Sequence, residues 1–181
     1  MTISYQTVLN FWFKTHGPVQ WFKKDDAFDQ LIKDMFLKSY HAARVGQYHD
    51  WMNAPDSLLA LILLLDQFPR NMFRDDKMMY QADPLACYLT YIAIEKGFDQ
   101  KIDQDKRLFI YLPLMHSEQL EDQIKSVEMF KKMGNQNSID YAIQHYDIVK
   151  KFAHFPHRNQ TLSRLSTDEE LEFLKQPGSS F

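Results

Sequence analysis

The feature that most constrains the fold is an apolar run in the middle of the chain. Residues 58–65 are LLALILLL, with Pro55 before the run and Pro69 after it. A run this short cannot span a bilayer, so it predicts a helix buried inside a globular protein. Because the run is apolar on every side, we expect this helix to be central, with Pro55 in its first turn and Pro69 ending or kinking it.

Amphipathic helix patterns lie on both sides of this run. Before it, Val8, Leu9 and Trp12 share one face of a first helix, and an Asp25 cap starts a second one that stops at Gly46. The second helix carries an apolar stripe of Phe28, Leu31, Ile32, Met35, Phe36 and Ala43. After the run, helices are predicted from Asp83-Pro84 to Gly97, from about Asp103 to a break near Pro113, from a Ser117 cap to Gly134, from near Ser138 to Pro156, and from a Thr167–Glu170 capping box onward.

No stretch of alternating apolar and polar residues demands a strand. Only 5 glycines and 7 prolines are present, too few for a protein built from many tight β-turns. Short connections between consecutive helices favour antiparallel pairs. The sequence therefore predicts an all-α single domain over residues 1–181, with about eight helices arranged as antiparallel helical hairpins.

Charge and cysteine content bound the partners and the compartment. The net charge of −3 offers no global attraction to nucleic acid or to acidic membranes, so we expect neither as a partner. The single cysteine, Cys87, excludes an internal disulfide and fits a reducing compartment. The first residues, MTISYQTVLNFWF, lack the basic region and the cleavage site of a signal peptide. We therefore expect a cytoplasmic protein, whereas no pattern indicates its oligomeric state.

The first candidate site follows the apolar run and comprises Asp66, Gln67, Arg70, Asn71 and Arg74. A carboxylate at the end of an apolar helix is expected to be buried, and a buried charge needs a partner. Arg70 or Arg74 can supply it through two parallel hydrogen bonds. Two interpretations stay open: an ion pair that locks the helix to the next segment, or a ligand site.

The second candidate group is His116, Ser117 and Glu118, which contains the residue types of a hydrolytic triad. Adjacent side chains do not face each other on a helix, and no glycines flank Ser117 to form a nucleophile elbow. Ser117 as a helix cap, with Glu118 at the positive helix end, explains the same pattern without catalysis. The enzyme interpretation is therefore a hydrolase that uses His116, Glu118 or His145 as acid or base.

The third candidate group is His145, His154, His157, Arg158 and Asn159. His145 borders an apolar stripe, so a hydrogen-bonded core histidine is its default role. A proline separates the other two histidines, which disfavours a helical metal-ligand pair. The sequence also lacks an HExxH motif and paired CxxC motifs. We predict no metal and no cofactor.

One internal echo links the first and third groups. Residues 68–71 are FPRN and residues 155–159 are FPHRN, and each stretch follows an apolar helix that a proline is expected to stop. We predict two loops beyond helix C-termini that meet on one rim near His116. Cationic groups and histidines on such a rim suit a phosphate or carboxylate ligand. The predicted ligand-binding residues are Asp66, Arg70, Asn71, Arg74, Arg107, His116, His157, Arg158 and Asn159.

Several stretches together resemble a known bacterial family. They are VLNFWF at 8–13, WFKKD at 21–25, LLLDQFPRNMFR at 63–74, RLFIYLPLMHSE at 107–118, FPHRN at 155–159 and STDEE at 166–170. In this order they resemble the bacterial proteins grouped as domain of unknown function 924. The resemblance implies an all-α fold similar to tetratricopeptide-like helical hairpins. It implies no activity and no catalytic residues.

The chain departs from the family pattern at two places. Gly-Arg commonly precedes FPHRN in the family, where this chain has Ala153 and His154. A glycine often follows Phe-Arg, where this chain has Asp75. The first departure removes one cation from the predicted rim and weakens the case for an anion there.

Three functional interpretations follow from the sequence. The leading one is a helical binding module with a pocket for a small anionic molecule or an acidic peptide, lined by Arg, His and Asn at helix ends. The second is the hydrolase described above. The third gives the polar residues a purely structural role, in which they join helix ends around an aromatic core.

Overall fold

The computed structural model describes residues 3–181, and within that range every regular element is helical. This confirms the predicted all-α fold. The α-helices are α1 (Tyr5–Asn10), α2 (Pro18–Trp21), α3 (Asp26–Arg44), α4 (Pro55–Leu65), α5 (Gln67–Met72), α6 (Asp83–Glu95), α7 (Gln104–His116), α8 (Leu120–Met133), α9 (Gln136–Phe152) and α10 (Asp168–Phe173). A π-helical turn (Phe11–Thr15) extends α1, and 3-10 turns cover His49–Asn53, Lys77–Tyr80, Asp99–Lys101 and Pro156–Arg158.

The prediction of about eight helices differs from this structure in two places. The short helix α2 was not expected, and the single helix expected after Pro55 is divided into α4 and α5. The chain forms two compact units, the first ending at Pro113 and the second running from Leu114 to Phe181. The single-domain interpretation stays a prediction beside this division.

The predicted central helix, α4, lies in the core of the first unit. All residues from Ser57 to Leu65 are at most 5% exposed, as its all-round apolar sequence requires. Helices α1, α3, α5 and α6 pack against it. Aromatic rings complete this core: Phe68 contacts Trp12 and Phe36, and Trp12 also meets Phe109 edge-on at 5.8 Å.

The two prolines compare differently with the predictions made for them: Pro69 interrupts its helix as expected, whereas Pro113 does not. Pro69 lacks the N–H that would bond to the Leu65 carbonyl, and the helix breaks at Asp66 but resumes as α5. Arg70 therefore lies inside a helix and not in a loop beyond one, which corrects the expectation drawn from the FPRN stretch. Pro113 lies inside α7, so the break expected there is wrong. Buried packing of the surrounding residues outweighs the one missing helical bond at Pro113.

The predicted helix starts are correct in part. Asp25 caps α3 by accepting the N–H groups of Ala27 and Phe28, and Thr167 with Glu170 forms the predicted capping box of α10. Ser117 is not the cap of α8, because Gln119 occupies that position. Ser117 instead makes local hydrogen bonds, to the Asp122 carboxylate and from the Gln119 N–H.

Burial on α3 follows a narrower face than its apolar stripe predicts. Phe28, Ile32 and Phe36 are buried, whereas Leu31 is 40% and Met35 is 45% exposed. The buried residues recur every four positions, which places Leu31 and Met35 at the edge of the packed face. The stripe prediction was therefore too wide by these two residues.

Two residues other than glycine adopt left-handed backbone where the resemblance leads us to expect glycine. Asp75 has φ +64° in the turn after α5, and Ala153 has φ +63° at the C-terminal end of α9. The Ala153 N–H still donates to the Val149 carbonyl at 2.8 Å. A side chain in this region of backbone space is strained, so both turns form in spite of the residue that occupies them.

The second unit is built on the hairpin of α8 and α9. These helices pack along each other and are joined by Gly134 and Asn135 alone, so they run antiparallel. Gly134 has φ +81°, a conformation that glycine adopts without strain. Ile148, Val149 and Phe155 form the apolar cluster of this unit, with Phe152 and Phe173 packed against it.

Candidate functional site

The predicted carboxylate Asp66 is fully buried in the first unit and is paired. It accepts a hydrogen bond from Gln67 Nε2 at 2.6 Å and one from Arg70 Nη2 at 3.3 Å. The same Arg70 nitrogen donates to Asp83 Oδ1 at 3.1 Å. Burial alone would lower the pKa of Arg70, but the carboxylates of Asp83 and Asp66 outweigh it and raise that pKa above its usual value. Arg70 is therefore a fixed charge in an ion network.

A second network forms around Asp29 on α3. Arg74 donates from Nε to Oδ2 at 2.7 Å and from Nη2 to Oδ1 at 2.9 Å, while Asn71 Nδ2 donates to Oδ1 at 2.7 Å. The fork of Arg74 on a carboxylate is a strong two-point contact. It joins α3 to the segment after α5, so the expectation that Arg74 might pair with Asp66 is corrected to Asp29.

The predicted arginines of the first unit thus bind partners within that unit. Arg70 and Arg74 bind carboxylates, and Arg107 Nη2 donates to the Ile102 carbonyl at 3.1 Å, just before α7 begins. These contacts match the structural interpretation of the first candidate group. The ligand interpretation of the same residues stays a prediction.

In the second unit the predicted acid Glu118 is held by an arginine that the sequence reasoning missed. Arg164 donates from Nη1 to Oε2 at 2.7 Å and from Nη2 to Oε1 at 2.9 Å. The Phe155 N–H donates to Oε1 at 2.9 Å, and Arg164 also bonds the Phe155 carbonyl. Burial opposes ionisation, but these donors outweigh it and lower the pKa of Glu118. Glu118 is therefore an ionised acceptor that ties the start of the FPHRN stretch to Arg164.

Ser117 has a structural partner for its hydroxyl group. Its Oγ donates to Asp122 Oδ2 at 2.6 Å and accepts the Gln119 N–H at 3.1 Å. A serine nucleophile needs its hydroxyl on a general base such as an imidazole. The geometry gives no support to a hydrolytic triad at residues 116–118.

His145 on α9 is a buried histidine, only 5% exposed. Its Nδ1 lies 2.7 Å from the Tyr141 carbonyl oxygen, and because a carbonyl only accepts, Nδ1 carries the hydrogen. Its ring stacks on Phe181, with centroids 3.7 Å apart and planes 23° apart. It also meets the Phe155 ring edge-on at 5.5 Å. The predicted role of hydrogen-bonded core histidine agrees with this geometry.

The environment of His145 keeps its ring neutral. Burial is the largest cause and, with the nearby His116, Arg158 and His157, it lowers the pKa to about 3 against the opposing Tyr141 carbonyl. At neutral pH the ring therefore carries no charge. Of these three neighbours, Arg158 carries its positive charge at every physiological pH.

His157 and Arg158 occupy the 3-10 turn after α9. Burial lowers the pKa of His157 to about 4, and the neighbouring Arg158 lowers it further, with Glu118 opposing. Nδ1 of His157 is buried without a hydrogen-bond partner. The guanidinium carbon of Arg158 lies 4.5 Å from the Phe155 ring centroid, and Arg158 is only 6% exposed. We call His145, Phe155, His157, Arg158 and Phe181 the His145 cluster.

The segment Gln176–Phe181 contributes the last residue of this cluster. Gly178 turns the chain with φ +77°, and Ser179 is buried, with Oγ donating to the Leu174 carbonyl at 3.1 Å. Phe181 reaches His145, and its ring is 6.0 Å from that of His157.

The predicted ligand residue Asn159 forms hydrogen bonds with residues at the start of α10 and in the loop before it. Its Nδ2 donates to Ser166 Oγ at 3.0 Å and to Glu170 Oε2 at 3.4 Å, the same carboxylate that caps Thr167. His154 Nε2 lies 2.6 Å from the other oxygen of Glu170. Asn159 and His154 therefore hold the start of α10 beside the FPHRN stretch.

The structure groups the predicted residues by unit. Asp66 and Arg70 share one network, Asn71 and Arg74 share another, and His145, His157 and Arg158 share the cluster, with His116 close enough to affect the pKa of His145. Residues 68–74 belong to the first unit and residues 155–159 to the second. The predicted contact between these two stretches therefore stays a prediction. Sequence reasoning missed the partners Asp29, Asp83, Arg164 and Phe181, which lie far along the chain from the residues they bind.

Residues 3–181 contain neither a group of metal ligands nor a membrane-spanning helix. In residues 3–181 no group of three or more His, Cys, Asp or Glu side chains is placed to hold a metal ion. Over the same range no helix combines the length and apolarity that a bilayer crossing requires.

Comparison with known proteins places these features in context. The profile of a family described as bacterial protein of unknown function (DUF924) matches residues 8–178. A solved structure of the protein of unknown function ATU0120 from Agrobacterium tumefaciens matches with a TM-score of 0.90 and 40% sequence identity. That match covers 94% of this chain and 96% of the other. A search of curated proteins finds no match. The likeness spans nearly the whole chain and carries no assigned activity.

Proposed function

The chain belongs to the bacterial DUF924 family, and we propose that it is a helical binding module for a small anionic molecule. The proposed site is the His145 cluster in the second unit. The proposal favours a small molecule over an acidic peptide because the cluster is compact and its charged group, Arg158, is almost fully buried.

The observation that carries the proposal is the concentration of polar side chains around the Phe155 ring. Arg158 stacks on Phe155, while His145 and His157 each contact Phe155 as well. The charge of Arg158 lowers the pKa of both histidines and of Glu118, so its positive field acts across the cluster, with the Glu118 carboxylate opposing it at His157. An anion brought into such a field is stabilised, and the low polarity of the rings strengthens the attraction.

The chemistry of these groups suits phosphate or carboxylate oxygen atoms. A guanidinium group offers several N–H donors in a plane that matches both anions. The neutral imidazole of His157 offers one N–H donor without the cost of burying a second positive charge, whereas the N–H of His145 is committed to the Tyr141 carbonyl. The unpartnered Nδ1 of His157 adds a further polar atom that a ligand can satisfy.

The scaffold and the compartment complete the proposal. Helical hairpins such as α8–α9 present residues from several helices at one end, which is how tetratricopeptide-like scaffolds hold partners. Cys87 is buried and, as the single cysteine of the sequence, forms no internal disulfide, which fits the reducing cytoplasm where we place the protein. Neither nucleic acid nor a membrane enters the proposal as a partner.

The hydrolase interpretation gains no observation of its own. Glu118 is ionised and bound at both oxygens by Arg164, so it has no proton to donate at neutral pH. His145 is buried and neutral, with Nδ1 committed to a backbone carbonyl. A general acid or base must reach the proton that it transfers, and these two residues are engaged elsewhere.

The test is a thermal-shift and calorimetric screen of inorganic phosphate, phosphate esters and carboxylates. A ligand at 100 times its dissociation constant should stabilise the native state by about 2.7 kcal/mol. We expect at least one anion to raise the unfolding midpoint of the native sequence. Arg158→Gln should abolish the shift, and Arg158→Lys should weaken it because a lysine cannot offer the planar fork.

Lys131→Gln provides the matched control, since it removes one positive charge from an exposed site in the same unit. It should bind anions as tightly as the native sequence does. Circular dichroism confirms that each variant is folded before binding is compared. The proposal is wrong if no anion shifts the midpoint, or if the Lys131 and Arg158 variants lose binding equally.

A further inference from the structure

Phe181 holds a position in the His145 cluster that a ligand ring could take. Its ring lies face to face with His145 at 3.7 Å, and it meets His157 nearly at a right angle. The side chain is nevertheless 47% exposed. A stacked ring that is only half covered by protein gains from the contact but is open to replacement from solvent.

We propose that the cluster selects anions that carry an aromatic ring, and that Gln176–Phe181 occupies the place of that ring in the free protein. This inference rests on the proposed function, because it names the ligand class for the same site. The contacts of Gln176–Phe181 indicate what the site accepts. A flat ring packs against the face of His145, in the same cluster as the positive charge of Arg158.

The segment meets the cluster through the ring of Phe181 and through a hydrogen bond between the Ser179 backbone and His157. Ser179 is its one buried residue, and its Oγ bonds to the Leu174 carbonyl. Backbone bonds within the segment are limited to short turns, such as Gln176 N–H to the Phe173 carbonyl at 3.0 Å. A stretch with little buried area and few cooperative hydrogen bonds opens at a small fraction of the global unfolding free energy.

The ligand must combine two features to displace the segment. A ring alone would only exchange one stack on His145 for another, with no net gain. An anion alone would interact with the positive field but leave Phe181 in place. A molecule with both features gains the charge interaction in addition to the stack, so it favours the open segment.

The experiment compares phenyl phosphate, cyclohexyl phosphate and inorganic phosphate by isothermal titration calorimetry. The proteins are the full chain, a variant that ends at Lys175, Phe181→Ala, and Leu165→Ala as a control at a residue that is 98% exposed in the same unit. We expect phenyl phosphate to bind the shortened chain and Phe181→Ala about tenfold more tightly than the full chain. Inorganic phosphate should change by less than about twofold among all four proteins.

Cyclohexyl phosphate has similar bulk without a flat π-system, so it should bind the shortened chain more weakly than phenyl phosphate does. If the three probes bind equally in every protein, the ring preference is wrong while the proposed function stands. If phenyl phosphate binds more weakly after loss of Phe181, that residue is part of the ligand site and not a substitute for the ligand. If no probe binds any protein, the proposed function itself fails. Phe181→Ala decides the matter if the shortened chain does not fold.

Discussion

The two units treat their arginines differently. In the first unit Arg70 and Arg74 meet the carboxylates of Asp66, Asp83 and Asp29, so each guanidinium completes an ion network inside the fold. In the second unit Arg158 is buried against an aromatic ring, with two neutral histidines nearby. The comparison teaches that burial alone does not define the role of an arginine, because it accompanies a carboxylate network in one unit and an aromatic contact in the other.

The largest expected effect comes from breaking the network of the first unit. Asp66→Ala should lower the free energy of unfolding by about 3–5 kcal/mol, because it leaves Arg70 with only part of its buried carboxylate shell. Chemical denaturation measures this loss. Asp34→Ala removes an exposed carboxylate from α3 and should cost less than about 1 kcal/mol. A cost below about 1 kcal/mol for Asp66→Ala would remove the structural role from this residue.

The second expected effect is a dependence of the free energy of unfolding on pH that arises from the histidines of the second unit. The pKa values of His145 and His157 lie at about 3 and about 4 in the folded protein, against about 6.5 in the unfolded chain. Between the unfolded and folded values the unfolded chain binds protons that the native state refuses, so stability falls as the pH is lowered. Each histidine contributes a slope of up to about 1.4 kcal/mol per pH unit.

Denaturation of His157→Gln between about pH 5.5 and 4.5 should therefore show a shallower loss of stability than that of the native sequence. His41→Gln, at an exposed site in the first unit, serves as the control and should retain the native slope. Equal slopes for all three proteins would show that His157 is not held neutral by the fold.

The smallest expected effect comes from an arginine of the first unit, Arg74. Arg74→Lys keeps the positive charge but loses the fork on Asp29, and the pair is partly exposed, so it should cost about 0.5–1 kcal/mol. Anion binding should match that of the native sequence. If this variant loses anion binding as Arg158→Lys does, the two units do not differ in the way described.

Local features of the sequence predicted most of the helices. The burial of α4 followed from its all-round apolar run, and the ends of α3 and α10 followed from Asp25 and the Thr167–Glu170 box. The errors came from tertiary packing. Pro113 does not end α7, because the packing energy of the buried residues on both sides of it stabilises the helix. A local sequence pattern gives no information on that packing energy.

The site was less predictable than the fold. Residue types marked Arg70, Arg158 and the histidines as candidates, but their roles depend on partners far along the chain. Arg74 meets Asp29 across 45 positions and Arg164 meets Glu118 across 46. Such pairings arise when helices pack, and a single sequence does not specify which charged residue will stand opposite which.

The left-handed turns at Asp75 and Ala153 bear on how much strain this fold carries. Both are positions where the resemblance leads us to expect glycine, and both keep the glycine conformation with another residue in place. The strain at each is about 1 kcal/mol, smaller at Asp75 because aspartate tolerates this backbone better than alanine does. Against a typical stability of about 5–15 kcal/mol, a loss of this size leaves the fold intact. Such exchanges can accumulate by neutral drift, each narrowing the stability margin available to later mutations.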